Sequence, residues 1–429
     1  MAARPALLAA LTVLLVCLPI GNRDVSASVH VTPADLGSVA LVLSVVWRVR
    51  AFARLPWTPL WSLAGAAVVG LAVATVGSQD IGTSTAGFVR YLQLFVIIPI
   101  AVVVAMRDRR DLRLLCGAVV AAAVVQGAVG TWQVLTGTGA SFAGQNVRAI
   151  GTFGAQDIMG MSTVVGYGLV VAIGLAVVMR GRARLGLLTL AAVLVGPLLL
   201  SLSRGALIAT VGATALMLLA TSPRIALRAA LFSGATVTVL VGALGATSTV
   251  ASRFATIGAS LTGPDRSVSD RYELWGTAIA MWRDHPVTGV GVKMFPAYRD
   301  AYAPLHLSSG SDVADPGLTF RHEPLLSPHN MYLLVLSEQG LIGATAFTAL
   351  VLGLLVLTWR RTRQAAMPAG LDGGPLVSAV SVGVVGWTVL SFLAGDIGGP
   401  STVLMSVLLG LAWTWSAQTI PGMGRGAGP

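Results

Sequence analysis

The sequence predicts an all-α polytopic membrane protein with about twelve transmembrane helices and one long extracytoplasmic loop that contains short helices. Three observations carry that expectation. Apolar residues make up 55% of the 429 positions and charged residues only 10%, with a mean hydropathy of +0.81. A water-soluble domain of this size needs far more charged surface. The apolar residues gather in runs near the roughly 20 residues that a helix needs to cross a bilayer. Between the runs, the sign of the charge alternates along the chain.

Taken in order, the runs lie near residues 6–20, 35–47, 58–77, 88–106, 112–135, 157–179, 185–202, 204–221, 226–246, 328–358, 376–394 and 400–416. The second is short, and the tenth is long enough that its start belongs inside the protein. With the N-terminus in the cytoplasm, the cytoplasmic segments hold Arg4, Arg48, Arg50, Arg54, Arg107, Arg109, Arg110, Arg113, Arg180, Arg182, Arg184, Arg224, Arg228, Arg360, Arg361, Arg363 and Arg425. Only Asp108, Asp111 and Asp372 stand beside them as acids. This is the positive-inside pattern, kept loop by loop. It divides the chain into helices one to nine over 1–246, an extracytoplasmic loop over 247–327, and helices ten to twelve over 328–429, in the plasma membrane. Val25-Ser26-Ala27 has the form of a signal cleavage site. Arg23 and Asp24 separate it from the apolar stretch, so an uncleaved first helix is the expectation.

The net charge of +11 is accounted for by arginines pinned to one face of a bilayer, so no nucleic-acid partner is expected. Cys17 and Cys116 both fall in apolar runs, where a small buried thiol is ordinary. The chain holds no metal-ligand spacing, no P-loop, no Rossmann glycine run and no H-E-x-x-H, and no metal or cofactor is expected. The outer loops also lack an acidic pair able to hold a metal-bound nucleotide sugar. Glycosyl transfer on that face would therefore need a lipid-linked donor.

Chemistry concentrates between Arg266 and Gly343. Arg204 stands at a tight junction between two apolar runs, where an arginine is costly unless paired or hydrated. It either snorkels to the interface or holds an anion, for which a guanidinium is well shaped. Arg271, Trp275, Ala278, Ile279 and Trp282 form an amphipathic helical stripe, with Asp270 as N-cap and Glu273 completing a capping box. Arg266 and Arg271 either meet a substrate headgroup or pair with Asp265 and Asp270 at the surface. His285 reads as a helix C-terminal partner, His306 and His322 as solvated. His329 opens the tenth span, where a helix N-terminus favours the neutral, proton-accepting imidazole. Arg148 adds a further positive charge on the same face.

Ser203-Arg204-Gly205, the R-x3-W of Arg271 and Trp275, the DHPVTGVG turn and PHNMYLLVLSEQGLIG follow one another in an order and spacing that resembles the O-antigen ligase and O-antigen polymerase superfamily. GTFG after Arg148 is similar to an upstream element. The resemblance covers about 145–345. It implies a GT-C-like fold and a metal-independent, inverting transferase. The donor would be a polyprenyl-diphosphate-linked glycan and the acceptor a glycan, lipid or protein hydroxyl, with membrane lipids as surroundings. Carried over residue by residue, Arg204 and Arg271 hold the diphosphate, with Arg266 and Arg148 as further candidates, and His329 assists the acceptor. A multi-pass transporter or permease of the envelope is the rival reading, and a non-catalytic scaffold a third. Transport needs ionisable residues within spans, and the sequence places almost none there.

Overall fold

The computed structural model describes residues 4–19, 24–26, 29–46, 58–140, 147–154, 157, 159–231, 266–304, 307, 311–312, 321–322, 326–364 and 374–416. These residues are mostly helical, with two short antiparallel strand pairings, β1 (Asp24–Ser26) with β2 (Val29–His30) and β3 (Ser311–Asp312) with β4 (Arg321–His322). Among the described residues, seven helices are long and apolar enough to cross a membrane. They are α3 (Pro59–Val76), α4 (Ile81–Ala105), α5 (Arg109–Thr136), α6 (Gly160–Val178), α7 (Gly181–Leu200), α8 (Arg204–Thr221) and α11 (Met331–Gln364). The shorter apolar helices are α1 (Pro5–Leu15), α2 (Pro33–Val46), α12 (Gly374–Ser391) and α13 (Ser401–Ser416). Eleven of the expected runs thus meet a helix. The ninth, 226–246, extends past the helical residues 223–231 and lies otherwise outside the described residues.

Local chemistry sets the boundaries. Proline opens α1, α2 and α3, where its missing N–H costs nothing. Asp80, Asp108 and Ser203 accept the first free amides of α4, α5 and α8. The Asp80 cap starts α4 at Ile81, seven residues before the expected run, because a short polar first turn there is held by the cap and not by apolarity. A π-turn at Gln93–Ile97 interrupts α4, and Pro99 follows it. Helix α13 is buried at every residue, packed between α4 and α12 at the centre of the bundle.

One expectation needs correction. Asp270 does not cap a helix, because α9 (Arg266–Asp284) already runs through it from at least one turn earlier. The bundle does hold the little charge that the sequence places in its helices. Arg90 of α4 pairs with Asp35 of α2 and also donates to Gln93 and to Thr402 of α13. Asp35 is paired with the Thr32 hydroxyl and amide as well, so the charge is fully partnered and ties α2 to α4 and α13.

The described contacts gather one set of loops at one end of the bundle. The Ala149 amide donates to Leu200 at 3.1 Å, which fastens the Arg148 strand-like segment to the end of α7. The Ser84 hydroxyl donates to the Val292 carbonyl at 2.9 Å. A Cβ on Gly205 would meet Ala394, and one on Gly399 would meet Asp157. These are the loops that the charge pattern places on one face. The opposite end carries Arg4 beside Asp108 and Asp111.

Helix α11 is continuous in the sequence pattern but broken in the structure. Gly340 adopts φ 61, ψ −165, and the turn after α9 docks into the gap. The amides of Val290 and Gly291 donate to the carbonyls of Ser337 and Glu338, at 3.0 and 2.9 Å. The amides of Leu341 and Ile342 donate to Pro286 and Val287, at 2.9 and 3.3 Å. The gap's backbone groups are thus satisfied by the turn, as irregular backbone at membrane depth requires. Two glycines make the approach possible. Gly289 lies against the Glu338 carbonyl and Gly340 against that of Val287, both at positive φ, and a Cβ on either would collide with backbone. The Glu338 carboxylate then accepts the Phe295 amide at 3.0 Å, anchoring α10 (Phe295–Tyr302) at its N-terminus.

Candidate active site

Five segments converge at the loop end, and the segment between α12 and α13 is their hub. Its Asp396 accepts a short hydrogen bond from the Ser327 hydroxyl, and that same oxygen accepts the His329 amide at 3.1 Å. The Met331 amide donates to the carbonyls of Phe392 and Gly395, at 2.8 and 3.0 Å. Asn330 caps α11, taking the amides of Tyr332 and Leu333 at 3.1 Å, and its own amide nitrogen donates to Leu393 at 3.3 Å. His329 is therefore held from both sides of Asn330, one residue before the helix cap, as the sequence led us to expect.

Helix α9 reaches the same place. The Trp275 indole donates to the Pro328 carbonyl at 2.9 Å, which sets the face carrying Arg271, one turn earlier, towards His329. Arg271 and Asp396 both act electrostatically on the imidazole, and burial acts more strongly than either. Burial pulls its pKa below the usual histidine value. Asp396 opposes that pull and Arg271 adds to it. The net direction favours neutral imidazole, which can accept a proton.

Arg204 is the first residue of α8, behind the Ser203 cap. Gly205 lies against Ala394, two residues before Asp396, and Ser203 reaches Met159 at 3.5 Å. Arg148 is paired by backbone to Ala140 and lies next to the Ala149 link to Leu200, on the same rim. Arg266 opens α9, and its side chain lies outside the described residues, as do residue 306 and the side chain of His322. His285 directly follows α9 and stacks edge-on against Tyr298, 6.0 Å between ring centres.

Asp157, Ser327 and Asp396 escaped the sequence reading. Burial raises the Asp157 carboxyl to about 7, the Met159 and Gly160 amides partly opposing and Asp396 adding to the rise. One Asp157 oxygen is buried without a hydrogen-bond partner among the described residues. A usable signal existed for Asp396. It is the lone acid in a glycine-rich corner, GDIGGP, on the face that the charge rule assigns to the loop. Three non-glycine residues have positive φ among the described residues, and all stand at this end: Leu202, Lys293 and His329. Each such residue stores on the order of 1–3 kcal/mol of strain, which concentrates at functional sites. Among the described residues, no group of three His, Cys, Asp or Glu side chains is placed to hold a metal ion.

Residues 194–348 match the family model described as O-Antigen ligase. Over that stretch, about a third of the chain, the sequence is similar to the O-antigen ligase family. The match starts in α7 and ends inside α11, so it takes in Arg204, Arg271, His329 and Gly340 of this ligase-related chain. Arg148 and Asp396 lie outside it. No curated protein matches the chain.

Proposed function

We propose that this membrane protein transfers a glycan from a polyprenyl-diphosphate carrier to an acceptor hydroxyl, on the extracytoplasmic face of the plasma membrane. What supports the reading is that the segments carrying Arg204, Arg271 and His329, from three separate elements, meet near the Asp396 corner. The similarity of residues 194–348 to the O-antigen ligase family supports this reaction class.

The acceptor oxygen attacks the anomeric carbon from the face opposite the diphosphate, forming the new glycosidic bond with inversion. The bond from that carbon to the diphosphate oxygen breaks, and its electron pair leaves with the diphosphate. Arg204 and Arg271, joined by Arg148 and Arg266, meet the charge that grows on the departing oxygens. Fixed guanidinium groups do this without a metal. His329 takes the acceptor proton, in keeping with its preference for the neutral form. Asp396, through Ser327, fixes the His329 backbone and supports the imidazolium formed as the proton arrives.

The test is the cellular pool of polyprenyl-diphosphate-linked glycan in Arg204→Ala and His329→Ala strains at matched protein level. Donor accumulation with loss of glycosylated product is expected, and the lost product names the acceptor. Unchanged pools in both strains would refute the assignment.

A further inference from the structure

The transfer chemistry leaves the Asp157 carboxyl without a task, yet it lies between two parts of the site. It stands three residues before α6 and takes the Met159 and Gly160 amides. The Met159 sulfur receives the Ser203 hydroxyl at 3.5 Å, and the same hydroxyl accepts the Ala206 amide at 3.2 Å as the cap of α8. Arg204 is the first residue behind that cap. On its other side, Asp157 Oδ2 lies against Gly399, three residues past Asp396, so closely that a Cβ there would collide with it. Gly399 is itself held in place, at φ 66, with its carbonyl accepting the Thr402 hydroxyl at 2.7 Å. One carboxyl thus links the cap before Arg204 to the Asp396 corner.

Its surroundings suit the neutral acid. Oδ2 is shut away from solvent and has no hydrogen-bond partner among the described residues, a costly state for an ionised oxygen. The charged groups on the elements packed around it are Asp396 in the corner, Arg204 on α8 and Arg148 on the neighbouring rim. Arg90 reaches the corner through Thr402. Asp396 acts on Asp157 electrostatically and opposes a second negative charge. Burial and that repulsion, partly offset by the two amides, hold the carboxyl at about 7. It therefore carries a proton in mild acid and loses it just above neutrality.

We propose that Asp157 is a positioning residue for Arg204: wedged between the start of α6 and Gly399, its carboxyl fixes where the first turn of α8 meets the Asp396 corner. The neutral acid can lie against Gly399. The carboxylate repels Asp396 and draws back, taking Met159, the Ser203 cap and Arg204 with it. Arg204 then meets the donor diphosphate less well, so donor binding weakens as pH rises through about 7. This rests on the transferase reading and makes the setting of Arg204 depend on a proton.

The experiment is hydrogen exchange of the full-length protein in nanodiscs at about pH 6 and about pH 8.5, corrected for intrinsic rates, beside binding of a fluorescent farnesyl diphosphate. Peptides over 198–207 and 394–400 should lose protection at the higher pH in the wild type and keep it in Asp157→Asn. The wild-type Kd should rise about fivefold over the same interval, the low end of coupling between linked groups. That rise should vanish in Asp157→Asn, which stays neutral at every pH. Gly399→Ala, which drives a methyl group into the carboxyl, should show the weaker binding already at the lower pH. Equal protection at both pH values in the wild type overturns the proposal. That measurement needs no variant, so a misfolded substitution does not blunt it. A Kd rise that survives in Asp157→Asn overturns it as well. If it fails in either way while donor still accumulates in Arg204→Ala cells, the Asp157 assignment falls and the transferase stands. Lost protection with unchanged donor pools in Arg204→Ala cells would instead sink the transferase reading and, with it, this role.

Discussion

The two ends of the helix bundle use arginine in opposite ways. At one end Arg107, Arg109, Arg110 and Arg113 crowd into the connection before α5 and its first turns, with Arg4 reaching across to Asp108 in an exposed pair. At the other, Arg148, Arg204 and Arg271 come singly from distant parts of the chain, and loop hydrogen bonds bring their segments to one corner. Surface charge of the first kind sets topology and contributes little per residue. Charge of the second kind is preorganised, which is what stabilising a departing anion demands. On the reading proposed above, arginine count marks which way the chain faces, and arginine spacing marks where it works.

The sharpest way to break that comparison is to exchange residues across it. Arg204→Ala or Arg271→Ala should lower turnover about 100- to 1000-fold, whereas Arg113→Ala should leave it within about twofold. Equal losses in a donor-consumption assay would erase the distinction. Next in size is Gly340→Ala, which forces a side chain into the Val287 backbone at positive φ. We expect it to destabilise the loop end by more than the roughly 1–3 kcal/mol of a strained backbone alone, read as a lower melting temperature and easier proteolysis between 266 and 304.

Asp396→Asn should act through His329. The carboxylate raises the imidazole pKa, so removing it lets the value fall further. The acid limb of the rate profile should then move to lower pH while turnover drops about tenfold at neutrality, as supporting carboxylates elsewhere do. An unmoved limb would show that Asp396 serves the fold alone. The smallest effect belongs to Asp157. Its folded pKa of about 7 stands above the ordinary 3.8, so the folded state binds the proton more tightly. Its contribution to stability is full below about pH 4 and is lost as pH rises through about 7. Asp157→Asn should flatten the difference between melting curves recorded at about pH 5 and about pH 8.

Much of this was legible beforehand, for physical reasons. Spans announce themselves by apolar length, and Arg204 and His329 by standing where apolar runs meet polar loop. What stayed hidden depends on contacts far apart in the chain. Ser327 and Asp396 are 69 residues apart, and nothing local marks them as partners. The Asp35–Arg90 pair links residues 55 apart and looks, in sequence, like two unrelated helix-end charges. The break at Gly340 was masked because hydropathy is indifferent to backbone angle. Its glycine belongs to the SEQGLIG pattern, which gives the letters without the reason for them.

That break also bears on how the protein is made. On the proposed orientation, residues 286–291 reach the far side of the membrane before residues 337–342 enter it. Until the two meet, four peptide groups of the incoming span face hydrocarbon unsatisfied, at several kcal/mol each. The exported turn thus acts as a template for the helix that follows it. A ribosome-bound chain truncated ahead of α11 has nothing to mend, whereas one lacking only the turn carries a wound into the bilayer that membrane proteases can recognise.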